Sequence, residues 1–332
     1  MIPAPQADFV QALLDIRKLC VDFSRGHKWI PVVQNLSLDV RAGEVFTLVG
    51  ESGSGKSTVA SSIMRLMPVN SRSRISGSVL LGGRELLNLG AAEMRAVRGA
   101  EVAMIPQDPS GSLNPLFTIG NQVGEAILAH GGNIPDLRAA VIRRLRRVRI
   151  DQPEKRIDQY PHELSGGMRQ RVVGAIATAC SPRLLIADEP TTALDVTVQA
   201  QYLDMLKDLQ AETGLAILFI THDMGVAARL SDRLAVMYAG RIVETGPVQD
   251  VFRQPAHWYT RALLDCAPSL ERRAALQSIP GAPPRPGSIT GGCRFAPRCP
   301  AVQDRCGSRE PSLDPLGNNR AVRCWFPCTG ER

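Results

Sequence analysis

An apolar run, Val45-Phe46-Thr47-Leu48-Val49, leads without a break into Gly50-Glu51-Ser52-Gly53-Ser54-Gly55-Lys56-Ser57, and a helical stretch from Lys56 to Met67 follows, stopped by Pro68. Strand, glycine loop and helix in that order are the context that a G-x-x-x-x-G-K-S phosphate cradle requires, and they commit the chain to an α/β fold. Glycine at Gly50, Gly53 and Gly55 lets backbone N–H groups close on an anion that larger residues would obstruct, with Ser52 and Ser54 between them. Lys56 then offers a point charge to β- and γ-phosphates and Ser57 a hydroxyl to Mg²⁺. The helix directs its positive end at the same anion, and Thr58 extends the polar cap.

A second apolar strand, Leu184-Leu185-Ile186-Ala187, ends in Asp188-Glu189. Asp188 suits a Mg²⁺ contact through water, because this ion keeps part of its hydration shell. Glu189 stands one residue further on, where a carboxylate can orient and deprotonate an attacking water. Gln107 follows the short strand Ala103-Met104-Ile105 and is expected to sense the γ-phosphate, Mg²⁺ or water. His222 ends the strand Ala216 to Ile220 and is expected to position the γ-phosphate. Leu164-Ser165-Gly166-Gly167-Met168-Arg169-Gln170 supplies a serine cap and two glycines at the start of a helix running to Cys180, again open to phosphate oxygens. Phe23, on an early strand, is the candidate to stack on adenine, with Trp29 as its competitor.

Other segments read as short elements around these motifs. Leu14-Asp15-Ile16 and Leu36 to Val40 alternate like half-buried antiparallel strands, and Ser78 to Gly83 suggests a strand with a hairpin turn. Helical periodicity dominates from about 108 to 180, including the arginine-rich stretch Leu137 to Val148, and another helix is expected from Val196 to Glu212. Leu234 to Tyr238, Ala239-Gly240 and Arg241 to Glu244 look like a terminal hairpin. Gly281 to Gly292 is rich in Pro and Gly and reads as a linker. No run approaches the ~20 apolar residues of a membrane helix, and the first residues lack the pattern of a secretory signal, so a cytoplasmic protein is expected.

Charge and cysteine are concentrated at one end. Of the formal net charge of +7, the stretch from Val251 to Arg332 carries +6, with twelve Arg against six acidic residues. A basic tail can bind nucleic acid, or can face anionic headgroups or an acidic partner. The same stretch holds six of the eight cysteines: Cys266, Cys293, Cys299, Cys306, Cys324 and Cys328. A reducing compartment disfavours disulfides, so metal ligation or buried free thiols are the readings left for them.

With glycine loop, LSGG turn and Asp-Glu strand in this order, the chain resembles the ATPase subunits of ATP-binding cassette (ABC) machines. More narrowly it resembles those of bacterial dipeptide, oligopeptide and nickel importers, on Gln107-Asp108-Pro109 with Leu113-Asn114-Pro115, on Leu184 through Thr197, and on Tyr259 through Leu264. The resemblance implies an α/β fold: an ABC-type P-loop NTPase core with an antiparallel β subdomain, an α-helical signature subdomain at about 108–180, and a Cys-rich C-terminal extension. Residues 1–250 would form the nucleotide-binding domain and 251–332 the extension.

It also implies ATP hydrolysis coupled to head-to-tail closure of two such subunits. Ser165, Gly166 and Gly167 would complete the opposite subunit's site, and Asp195 would communicate between the two. Mg²⁺ would be held by Ser57, Gln107 and Asp188. The implied partners are two transmembrane permease chains, a second ATPase (a paralogue or another copy) and an extracytoplasmic solute-binding protein, with the chain peripheral on the cytoplasmic face of the plasma membrane. The segment after Gln107 would meet the permease, and no nucleic acid is expected. Peptides are the preferred cargo, nickel an alternative, and a soluble ATPase acting on ribosomes or nucleic acid a more distant one. Some relatives carry a [4Fe–4S] cluster in the tail, which implies Cys293, Cys299, Cys306 and Cys324 as ligands, with Cys328 an alternative for the last; zinc and unliganded thiols stand beside that reading.

Overall fold

A computed structural model describes residues 12–69, 71–108, 110–131, 134–192, 194–266, 278–289 and 291–328. Pro109 and Ala193, quoted above within motifs, lie outside the described residues. The strands are β1 (Ala12–Arg25), β2 (Lys28–Arg41), β3 (Val45–Val49), β4 (Ser73–Leu81), β5 (Arg84–Glu85), β6 (Val102–Ile105), β7 (Leu184–Asp188), β8 (Ala216–Thr221), β9 (Arg233–Tyr238), β10 (Arg241–Pro247), β11 (Asp314–Gly317) and β12 (Arg320–Val322). The helices are α1 (Lys56–Met64), α2 (Ala91–Val97), α3 (Ile119–Gly131), α4 (Leu137–Arg147), α5 (Pro153–Arg156), α6 (Gly166–Ala177), α7 (Val196–Thr213), α8 (Met224–Leu230), α9 (Val248–Arg253), α10 (Trp258–Cys266) and α11 (Asp304–Ser308).

Two sheets result. One is antiparallel, in the order β2-β1-β4-β5; the other runs β11-β12-β10-β9-β3-β8-β7-β6, with β6, β7, β8, β3 and β9 parallel. Alternation along the parallel strands divides the core. Leu185, Ala187, Ile217 and Phe219 face α3, α4, α6 and α7, while Leu184, Ile186, Leu218 and Ile220 face α1 and the antiparallel sheet. Strands buried on both faces read as continuous apolar runs, which is why β3, β7 and β8 stand out in the sequence. The helical group from α3 to α6 shares the first of these cores with the sheet.

Helix α6 ends at Ala177 rather than Cys180, and two further boundaries differ from the sequence reading. Helix α1 ends at Met64, because Arg65 turns into the left-handed region at φ +50° and spends its guanidinium on the Leu86 and Leu89 carbonyls. The β9–β10 hairpin is not terminal. Strand β12 pairs with β10 through Glu244↔Val322 and Thr245↔Ala321, and β11 pairs with β12. Strands of three and four residues carry too little alternation to be seen as a pattern. The tail also adds a third core, in which Tyr259, Leu264 and Phe295 pack on Leu234, Val236 and Tyr238 of β9.

Candidate active site

The parallel register sets the site at the carboxyl ends of three adjacent strands. Val49 of β3 lies beside Thr221 of β8, and Ile220 beside Asp188 of β7. In an open α/β sheet this edge is where ligands bind. The glycine loop leaves β3 here. A Cβ on Gly50 would stand 2.1 Å from the Met237 carbonyl oxygen, so the strand exit passes too close to β9 for any side chain. Gly55, at φ +104°, makes the left-handed step into α1. The Gly240 amide donates to the Ser54 carbonyl at 2.8 Å, tying the loop to the β9–β10 turn. Ser52 and Gly53 are exposed at the loop tip, and Thr58 is half-buried on α1.

Lys56 is buried and donates to the Gly50 and Glu51 carbonyls at 2.8 and 3.1 Å. Its Nζ stands 3.5 Å from Glu189 Oε1. Burial lowers the Lys56 pKa, against the opposing pull of Glu189, Asp188 and Glu51. Ser57 Oγ donates to Asp188 Oδ1 at 3.0 Å, and burial raises the Asp188 carboxyl above its usual range. A buried carboxylate beside a serine hydroxyl offers the oxygen donors that a hard cation takes.

Glu189 is the junction of the site. Its amide donates to the Ile220 carbonyl at 2.9 Å, and its backbone is held at φ +45°, a conformation that non-glycine residues avoid. While Oε1 faces Lys56, Oε2 meets His222 Nδ1 at 3.1 Å and accepts from Thr192 Oγ1 at 3.3 Å. His222 is half exposed, its ring bridging this carboxylate and the surface. The sequence reading gave Thr192 no role; its place in the Thr191-Thr192 run directly after Asp188-Glu189 was the available signal. Gln107 lies exposed two residues beyond β6, whose Ile105 pairs with Ala187 of β7, so it belongs to the same sheet edge. Lys56, Ser57, Asp188, Glu189 and His222 are thus brought together by direct contacts.

Other predicted residues gather elsewhere. Ser165 caps α6 by accepting from the Met168 amide at 3.3 Å, and Asp195 caps α7 by accepting from the Val198 amide at 2.9 Å. A Cβ on Gly167 would meet Val198 Cγ1 at 2.6 Å, so the two capped helix starts are packed against each other. Gly166 is exposed, and an added Cβ there would meet nothing within 4 Å. Ser165 and Gly167 line a surface hollow with Arg149, Arg156 and Arg171. Phe23 packs at the margin of the core beneath the antiparallel sheet. The ring of Trp29, its competitor, is covered by the Arg74 guanidinium at 3.7 Å.

In the tail, all eight cysteines being free thiols, Cys293, Cys299, Cys306 and Cys324 line one small cavity with His257, Phe295 and Trp325. Cys328 is not among its lining residues. Burial raises the thiols of Cys293 and Cys299, and lifts Cys324 to about 11. Among the described residues no group of three or more His, Cys, Asp or Glu could hold a metal ion. The zinc alternative for these four thiolates therefore has no support: cysteines lining a common wall are not a tetrahedral set around one ion, which needs every sulfur about 2.3 Å from it. The [4Fe–4S] expectation gains no support from this geometry either.

Residues 33–192 match the ABC transporter family, and residues 243–306 the oligopeptide/dipeptide transporter C-terminal region. The chain is 46% identical to the probable peptide ABC transporter ATP-binding protein y4tR of Sinorhizobium fredii, over 97% of this chain and 96% of that one. It is 44% identical to the dipeptide transport ATP-binding protein DppD of Bacillus subtilis, over 96% and 95% of the two chains. Among solved structures, the dimeric ABC transporter cassette MJ0796 superposes with a TM-score of 0.63 at 26% identity, over 71% of this chain and 98% of that one. The chain belongs to the ABC transporter family as an ATPase cassette, in the branch that carries the oligopeptide/dipeptide C-terminal region.

Proposed function

We propose that the chain hydrolyses ATP to drive peptide import through a membrane permease. The observation that carries the reading is the Glu189 carboxylate, held between Lys56 and His222 at the mouth of the glycine loop. The loop amides and Lys56 bind the triphosphate. Glu189 takes a proton from the attacking water, and His222 with Thr192 fixes the carboxylate that does so. Ser57 and Asp188, with Gln107, would hold Mg²⁺, which offsets charge on the phosphates. Ser165 and Gly166 are exposed, and no contact described above joins them to this cluster, which suits completion of a second subunit's site. Asp195 would link the two through α7, and Phe23 would stack on adenine. Two curated relatives are named for peptide or dipeptide transport, which favours peptides over nickel as cargo.

Among the described residues no helix is long and apolar enough to cross a membrane, so other chains would provide the path. The partners in this reading are two permease subunits, a second ATPase and an external solute-binding protein, with the chain peripheral on the cytoplasmic face. Leu116 and Phe117, 79% and 52% exposed just before α3, offer the permease an apolar contact. Changing both to Asp is expected to abolish copurification of permease chains from solubilised membranes while the isolated subunit still hydrolyses ATP. Undiminished recovery of permease with the doubly changed chain would remove this contact from the reading, and recovery of the natural chain only with ribosomes or DNA would overturn import.

The four cavity cysteines are further proposed as ligands of an iron–sulfur cluster, a group that four thiolates can hold and that would cross-link the tail. The support is the family resemblance of the tail, whose matched region spans residues 243–306, and not the geometry of the cavity. Protein purified without oxygen is then expected to be brown and to contain iron and labile sulfide in equal amounts. A colourless, iron-free preparation would refute it.

A further inference from the structure

Glu51 is an odd residue for its place. It is the second residue of a loop that, in the reading above, surrounds a triphosphate, and an unpaired carboxylate there repels the ligand. The chain answers from its far end. Arg298 makes a two-pronged pair with it, Nη1 to Oε2 at 2.7 Å and Nη2 to Oε1 at 3.0 Å. Only 4% of the Arg298 side chain is exposed, and its remaining donors go to the Pro280 carbonyl at 2.9 Å, the Tyr238 hydroxyl at 3.3 Å and the Ile279 carbonyl at 3.4 Å. Every N–H of the guanidinium therefore has an acceptor, which fixes the fork that grips Glu51.

The backbone of the same residue is held as well. The Glu51 amide donates to the phenolic oxygen of Tyr259 at 2.9 Å. Tyr259 is fully buried, its ring 4.6 Å from that of Tyr238 and 5.3 Å from that of Phe295, so the oxygen has little freedom to follow a moving loop. Side chain and amide of one loop residue are both set by the C-terminal extension.

We propose that Arg298 and Tyr259 are positioning residues for nucleotide: acting through Glu51, they hold the phosphate loop in its receptive shape and cancel its one negative charge. ATP affinity of the cassette is then a property of its C-terminal extension. This inference rests on the ATPase reading above.

The test is equilibrium binding of MgATP and MgADP to the full chain, with steady-state turnover and thermal melting of each variant. Arg298→Ala is expected to weaken MgATP about tenfold or more and to raise KM in parallel, with kcat at saturation changed far less. Adding Glu51→Gln to Arg298→Ala is expected to recover part of that loss, because the bare carboxylate is gone; a purely architectural arginine would show no such rescue. Tyr259→Phe keeps the ring and deletes only the oxygen, and is expected to weaken binding several-fold at an unchanged melting temperature. If Arg298→Ala does not fold, Tyr259→Phe decides. Affinities within twofold of the natural chain for folded variants, or a double variant showing the product of the two single losses, overturn the proposal. A natural chain that fails to bind MgATP overturns the ATPase reading and this one with it, whereas normal binding by natural and variant chains alike overturns this one alone.

Discussion

Glu189→Gln is expected to lower ATP turnover by about 10²–10⁴-fold, the usual worth of a general base, while MgATP still binds. Glutamine has the shape of the residue it replaces. Its side-chain oxygen can still accept from Thr192, which now stands 3.3 Å from Oε2. What it lacks is the ability to take a proton, and the charge that Lys56 faces at 3.5 Å. The backbone here is held at φ +45°, and strain of this kind costs on the order of 1–3 kcal/mol per residue, persisting where the surrounding structure fixes it. Because binding survives without turnover, the variant is expected to accumulate as an ATP-bound dimer on gel filtration. Near-normal steady-state hydrolysis would take the base role away from Glu189.

Gly166→Asp is expected to cut turnover by about 10²-fold or more while leaving the single chain intact, a loss comparable to removing one preorganised contact to the reacting group. The position is exposed, and nothing lies within 4 Å of an added Cβ. As the first residue of α6 it would also place an acidic group where the helix dipole favours one. Within its own subunit the change is therefore harmless. The new carboxylate would instead meet the triphosphate of a second subunit and repel it. Melting temperature and MgATP affinity of the isolated chain should stay unchanged as hydrolysis falls. A fully active variant would show that this turn does not face a partner's nucleotide. The neighbouring Gly167 cannot serve for the test, since any side chain there collides with Val198.

The parts of the molecule legible in the sequence are those whose chemistry is local. Strand, loop and α1 announce themselves because the glycines and Lys56 are contiguous, and β7 with Asp188-Glu189 because a doubly buried strand must be apolar throughout. The start of α6 follows from Ser165, whose side chain caps the turn directly after it, whereas the matching cap by Asp195 on α7 was not read from the sequence. Contacts across the chain left no such trace. Arg298 lies 247 residues from Glu51, and one arginine in a basic tail looks like any other. The β11–β12 pair was hidden by its shortness, and the early end of α1 by an arginine in a left-handed turn. Neither feature disturbs the hydrophobic periodicity that sequence reading depends on.

The seam between β10 and β12 bears on how the gene can be cut. Glu244 is wholly buried, accepting from the Ala256 and His257 amides at 2.8 Å each, with Arg320 at 3.2 Å as its cation. A fragment ending near residue 250 would strand that carboxylate without its counter-ion and bare a ladder edge ready to stick to other copies. Shortened cassettes designed for expression would thus precipitate for a reason unrelated to ATP, and a soluble product must keep the codons through Val322.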